Sequence, residues 1–332
     1  MKSFEMRGKP SPFERRLRMQ IQGAFPSCVT LAGRARKLIT LLALALSAII
    51  TTAIPSHDAL AVSIEFECPR NLPGATMSGD VAKTLVSCTH YLWLSGEFVA
   101  GDYERVRNAL RDRGEPIYGV RLFASPGGNL DEAMKIGELV RRLRLGTLVA
   151  TIMPDGFLLD SIVLKSNGQA VCASACVYVW LSGIVHLGSW KLVIHRPYFD
   201  AAYFSSLSSE EADAKYAELE SRAYNFLRKM GAPEQLIIMM RKVPSSDGQV
   251  LDEEYVFTEL NATSPGFDEW LTSRCGADLG SGRLLEIMRN AKELGGQEHL
   301  PADQAEEYKR FLCRGKERKQ AVLDAWKNEF GD

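Results

Sequence analysis

Two short stretches decide how the chain is read: Ser125-Pro126-Gly127-Gly128 and Cys172-Ala173-Ser174-Ala175-Cys176. The first separates a strand pattern over 118–124 from a helix pattern that begins at Asn129. The second sets a serine among small residues at the head of an apolar run. A histidine, His195, closes the next strand-like run, 190–195. A Gly-Gly turn, a serine after a turn and a downstream histidine are the parts an acyl-transfer site needs. The turn offers backbone N–H donors to an oxyanion, the serine attacks and the histidine takes its proton.

Outward from these stretches the pattern is strand alternating with helix. Residues 91–98 read as a strand and 103–113 as a helix. Residues 118–124 read as a strand with little polar alternation, as for a strand covered on both faces of a parallel sheet. Asn129 and Glu132 have the spacing of a capping box. Leu130, Ala133, Met134, Gly137, Val140 and Leu143 recur at three and four, and Gly146 is expected to end that helix. Residues 147–153 read as a strand, 154–170 as an inserted hairpin or loop, and 172–183 as a turn and a short buried helix. Ser208 with Glu211 opens a long amphipathic helix that Gly231 and Pro233 stop. A further helix over 233–242 and a loop at 244–248 follow, and 254–260 reads as a strand or helical turn. Beyond about residue 270 two charged, helix-prone segments form a small helical extension. The class this implies is α/β with parallel pairing, and functional groups should then gather at strand C-termini.

The N-terminus differs from the rest. Arg15, Arg16, Arg18, Arg34, Arg36 and Lys37 precede an uncharged apolar run over 38–54, which ends near Ala59-Leu60-Ala61. This is the layout of a secretory signal peptide, with cleavage expected after Ala61. The alternative is an uncleaved segment anchoring the protein by residues 38–54. A domain over 62–270 and an extension over 271–332 would follow, in the periplasm or secreted. Of seven cysteines Cys28 falls in the leader, and Cys68, Cys88, Cys172, Cys176, Cys275 and Cys313 remain. An even number in an exported chain suggests disulfides. Nearest-neighbour pairing gives 68–88, 172–176 and 275–313. No Cys-x-x-Cys occurs, so zinc is not expected. A net charge of −1, with 24% charged residues, gives no reason to expect nucleic acid as a partner.

Each site residue has a plainer reading. Gly127-Gly128 is also an ordinary tight turn, and Ser174 is also a small residue in a packed one. His195 competes with His186, which the sequence places in a loop. A triad needs an acid: Asp247 is the candidate and Asp252 the reserve, while Lys165 would serve a Ser–Lys dyad.

From about residue 91 to 260 the chain resembles the Clp-protease/crotonase-like superfamily, most closely its exported, Clp-protease-like periplasmic proteins. The matching pieces are Leu94-Ser-Gly-Glu97 with Gly101-Asp102, Ser125-Pro-Gly-Gly128, Cys172-Ala-Ser-Ala-Cys176, His195-Arg-Pro-Tyr198, and Pro244-Ser-Ser-Asp247. The resemblance implies a β-β-α spiral and a serine peptidase site without metal or organic cofactor. Ser174 resembles the nucleophile, His195 the general base, Asp247 the third triad member, and Gly127 or Gly128 with Ala175 the oxyanion hole. The substrate would be a peptide or protein, and a homo-oligomer stays open. The 154–170 insertion and the helical tail depart from the family's pattern, so ring assembly with an unfolding ATPase is not carried over. The rival from another class is an inactive scaffold that binds peptides or a partner. An acyl-CoA enzyme ranks third, because export removes the chain from its cofactor.

Overall fold

Residues 61–66, 90–149, 171–188 and 191–331 are described by the structure, a computed structural model. The described residues lie in one compact unit, His57–Asp332. Strand β1 (Ser63–Glu65) pairs antiparallel with β2 (Tyr91–Phe98). Helix α1 (Asp102–Arg113) then leads to β3 (Gly119–Gly128), which runs parallel to β2. Helix α2 (Leu130–Arg142), β4 (Gly146–Val149), β5 (Cys172–Ala173) and α3 (Ala175–Leu181) follow. After them come β6 (Val185–Leu187) and β7 (Leu192–Ile194).

Strand β3 belongs to two sheets. Its first half, Gly119 to Leu122, pairs with Gly146 to Val149 of β4, while Ser125 pairs with Cys172 of β5. The corner between them is Ala124, whose φ of 44° is a left-handed value for a residue other than glycine. Strands β4 and β6 extend the first sheet in parallel, and β5 and β7 extend the second. Each turn of chain therefore gives one strand to each sheet and then a helix. That is the β-β-α spiral, and the fold is α/β of the class expected from the sequence. Only β3 passes from one sheet into the other; β4 pairs in the first and β7 in the second.

Strand β3 does not stop at Ser125, as the Pro-Gly-Gly signal suggests. It bends there and rejoins β2, with Glu97 opposite Gly127 and Phe98 opposite Gly128. Left-handed φ values of 105° at Gly127 and 114° at Gly128 make that bend possible. Helix α2 begins as its capping pattern indicates, with the Asn129 side chain accepting from Glu132 N–H at 3.1 Å. The Glu132 carboxylate does not close the box. It accepts instead from Tyr103 N–H at 2.8 Å and so ties α1 to α2. Arg144, with φ 56°, takes the left-handed position for which Gly146 was expected. Gly137 is needed for contact: a Cβ there would meet the Ser182 hydroxyl just past the end of α3.

The remaining chain is mostly helical. A short helix α4 (Ala201–Ser205) precedes α5 (Ser209–Lys229), whose capping box of Ser208 and Glu211 is complete. Helix α6 (Glu234–Lys242) leads to β8 (Gln249–Val250), antiparallel to β7. Helix α7 (Glu253–Tyr255) runs into a π-helical turn, Val256–Leu260, and β9 (Ala262–Thr263) then pairs with β6. Helix α8 (Pro265–Cys275) has no apolar stripe clear enough to be read in advance. Helices α9 (Ser281–Glu293) and α10 (Ala302–Phe330) match the charged segments of the tail. The second half of α10 packs on the spiral: Val322 and Trp326 sit in the same buried cluster as Leu92, Leu122 and Leu139. Glu329 adds ion pairs to Arg107 and Arg142.

Disulfides join Cys172 to Cys176 and Cys275 to Cys313, as nearest-neighbour pairing predicts. The expected Cys68–Cys88 pair lies outside the described residues, as do Lys165, the 154–170 insertion and the leader up to residue 60. Among the described residues no helix is long and apolar enough to cross a membrane.

Candidate active site

The second sheet has the strand order β3-β5-β7-β8. At one edge of it these strands carry, in the same order, Gly127-Gly128, Ser174, His195 and Asp247. Parallel strands point their C-termini to one edge. Residues far apart in sequence are thereby brought to one edge, where ligands bind in open α/β sheets.

Ser174 makes the whole turn between β5 and α3 by itself. Its φ of 55° and ψ of −121° lie outside the regions that residues with a Cβ ordinarily occupy. Its own N–H donates to the Val193 carbonyl at 2.8 Å, and its carbonyl accepts from Val177 N–H at 3.0 Å. The backbone on both sides is therefore anchored. The side chain is half-buried and caps no N–H of α3. The side chain is thus not spent on the helix, and costly backbone conformations of this kind cluster at functional sites.

Gly127 lies directly against it. A Cβ on Gly127 would stand 2.6 Å from Ser174 Cβ, 2.8 Å from the Ala173 carbonyl oxygen and 2.9 Å from Ala175 N. Ser125, which is buried, steadies the turn by accepting Gly127 N–H at 3.4 Å. Ala175 is the first residue of α3, and the first N–H groups of a helix have no acceptor within it. Gly127 and the Ala175 N thus adjoin Ser174, whereas Gly128 packs against Glu97 and Phe98 of β2.

The pairing of Ala173 with Val193 puts Ser174 level with Ile194, and His195 stands one residue beyond. His195 is half-buried. Its Nδ1 lies 2.8 Å from the Arg196 carbonyl oxygen. A carbonyl only accepts, so Nδ1 carries the proton and Nε2 of the neutral ring is left as an acceptor. That is the tautomer a general base needs. The group that selects it is a main-chain carbonyl, for which sequence carries no signal.

The antiparallel pairing of Ile194 with Gln249 brings Gly248 level with His195 and Asp247 level with Arg196. Asp247 is exposed, and its carboxylate is 3.5 Å from Ser246 Oγ. No hydrogen bond joins Asp247 to His195, or His195 to Ser174, among the described residues. Asp252 is committed elsewhere: its side chain caps α7 by accepting Tyr255 N–H at 3.2 Å. His186 is not in a loop, as the sequence suggested, but in β6 opposite Thr147. It is buried edge-on against Trp180, and burial pushes its pKa down to about 4 despite a contact with the Gly183 carbonyl. It is a neutral core histidine.

A cavity of about 490 Å³ begins at Arg196, next to His195, and is lined by Tyr198, Phe199, Phe204, Tyr216 and Asp213 among others. The His195 and Tyr198 rings are 5.5 Å apart, which makes this aromatic wall continuous with the imidazole. Helix α5 closes this wall with Asp213 and Tyr216. Among the described residues no group of three or more His, Cys, Asp or Glu side chains is placed to hold a metal ion.

No protein-family model matches the chain, and no curated protein matches it either. Among solved structures it is similar to a chain described as an enoyl-CoA hydratase/isomerase from Acinetobacter baumannii, at 14% identity and a TM-score of 0.21. The match covers 73% of this chain and 89% of that one. So low a TM-score carries nothing about activity, and the fold stands on the strand order described above.

Proposed function

We propose that this protein is a serine hydrolase, most specifically a peptidase, exported to the periplasm or secreted. The single observation that carries the reading is the left-handed, uncapped Ser174 at a strand-to-helix turn, packed on Gly127 at the edge where His195 also ends its strand. Ser174 Oγ attacks a substrate carbonyl and passes its proton to His195 Nε2. The Gly128 and Ala175 N–H groups receive the charge that develops on the carbonyl oxygen. His195 then returns the proton to the leaving amine, and water repeats the sequence on the acyl-enzyme. The Arg196 carbonyl orients the imidazole, with Asp247 as the acid nearest along the strand pairing. The aromatic cavity receives an apolar side chain of the substrate. Two disulfides among the described residues favour an oxidising compartment.

A p-nitrophenyl ester tests the chemistry without knowledge of the natural substrate. The expected result is a burst of nitrophenol stoichiometric with protein, lost in Ser174→Ala. Turnover no greater than that of Ser174→Ala would refute the reading. The second reading is an inactive scaffold that binds peptides. It is favoured by the missing hydrogen bond between Ser174 and His195, although such bonds are often long before substrate arrives.

A further inference from the structure

The Cys172–Cys176 disulfide spans Ser174 symmetrically, two residues to either side. Cys172 is held in the second sheet by its pairing with Ser125 and Leu192, and its N–H donates to the Lys191 carbonyl at 3.0 Å. Cys176 lies in the first turn of α3. The bridge therefore staples the end of a strand to the start of a helix across a one-residue turn, with the two Cα atoms 5.2 Å apart. Both sulfur-bearing side chains are fully buried. The other disulfide, Cys275–Cys313, joins α8 to α10 in the helical tail and touches none of the site residues.

Two main-chain hydrogen bonds, to Val193 and from Val177, anchor the Ser174 turn, but its left-handed φ stays costly for a residue with a Cβ and favours rotation wherever the ends can move. Gly127 leaves room for the strained form but does not enforce it. Ala173 and Ala175 are too small to hold it by packing. We propose that the Cys172–Cys176 disulfide is a positioning element for the candidate nucleophile: it holds the strand end and helix start at the separation that keeps Ser174 turned toward the reacting carbonyl. The proposal rests on the hydrolase reading above. It assigns the bridge to reactivity rather than to stability, and it takes no part in bond making.

The test is the rate of Ser174 phosphonylation by a fluorophosphonate, separated into kinact and KI, for wild type, Cys172→Ala/Cys176→Ala and Cys275→Ala/Cys313→Ala. Circular dichroism first establishes that each is folded. Cys172→Val/Cys176→Ala, which keeps more of the buried volume, stands in if the alanine pair does not fold. Loss of the site bridge is expected to lower kinact at least about ten-fold, in line with the cost of small misplacements of a reacting group. KI should stay unchanged. Loss of the tail bridge is expected to lower the melting temperature and leave kinact alone. An unchanged kinact without the site bridge, in a protein whose wild type is labelled, overturns this proposal and leaves the hydrolase reading intact. A folded wild type that is not labelled overturns both.

Discussion

A Cβ placed on Gly127 would stand 2.6 Å from the Cβ of Ser174, closer than two such atoms can come. The glycine near the end of β3 and the serine in the turn after β5 are thus one packing unit, although far apart in sequence. Gly127→Ala must move one of the two backbones, and it also puts an L residue at φ 105°. The expected outcome is a stability loss of about 1–3 kcal/mol with serine reactivity abolished in the protein that folds. Urea unfolding and fluorophosphonate labelling measure the two effects.

His195 takes its orientation from a carbonyl, so the two candidate acids should differ in a way that a simple triad does not foresee. Asp247→Asn is expected to lower the labelling rate by less than about ten-fold, whereas removing a full triad acid costs about 10⁴. Asp252→Ala should leave the rate unchanged and cost about 1 kcal/mol for its lost cap. A loss near 10⁴ in Asp247→Asn would show that the acid, not the Arg196 carbonyl, holds the ring during the reaction.

His186 makes stability depend on pH. Its pKa is about 4 in the folded chain and about 6.5 when unfolded. Below the unfolded value the unfolded chain takes up a proton that the folded one refuses. The contribution is therefore complete above about pH 6.5 and is lost as pH falls to about 4, by roughly 3 kcal/mol. Urea denaturation at both ends of this window should show that wild type loses more stability than His186→Gln by about that amount. Equal losses would mean that the folded ring titrates normally.

Helix α10 contributes Trp326 to the core shared with the central strands. Trp326→Ala should cost about 3–5 kcal/mol and unfold the spiral and tail in a single transition. Two separate transitions would show that the tail is a unit of its own.

Much of this was legible in the chain because local chemistry and fold agree. The Asn129 and Ser208 caps, the apolar stripe of α2 and the alternation of elements all pointed to α/β. Ser174, His195 and Asp247 were legible as candidates because turn residues and strand ends mark them. What stayed hidden depends on tertiary contact. Pro126 and the two glycines mark a turn in isolation, yet β2 draws them back into the sheet. His186 has no periodic run around it, and only the short pairings of β6 with β4 and β9 bury it. Nothing in the sequence distinguishes the Arg196 carbonyl from any other.

The central claim is that Ser174 is an activated nucleophile served by His195. Fluorophosphonate labelling of the purified protein, followed by mass spectrometry of the modified peptide, tests it most directly. The adduct is predicted on the peptide containing Ser174, absent in Ser174→Ala and suppressed in His195→Ala. A folded protein with both described disulfides formed that takes no label, or takes it on another serine, would contradict the account.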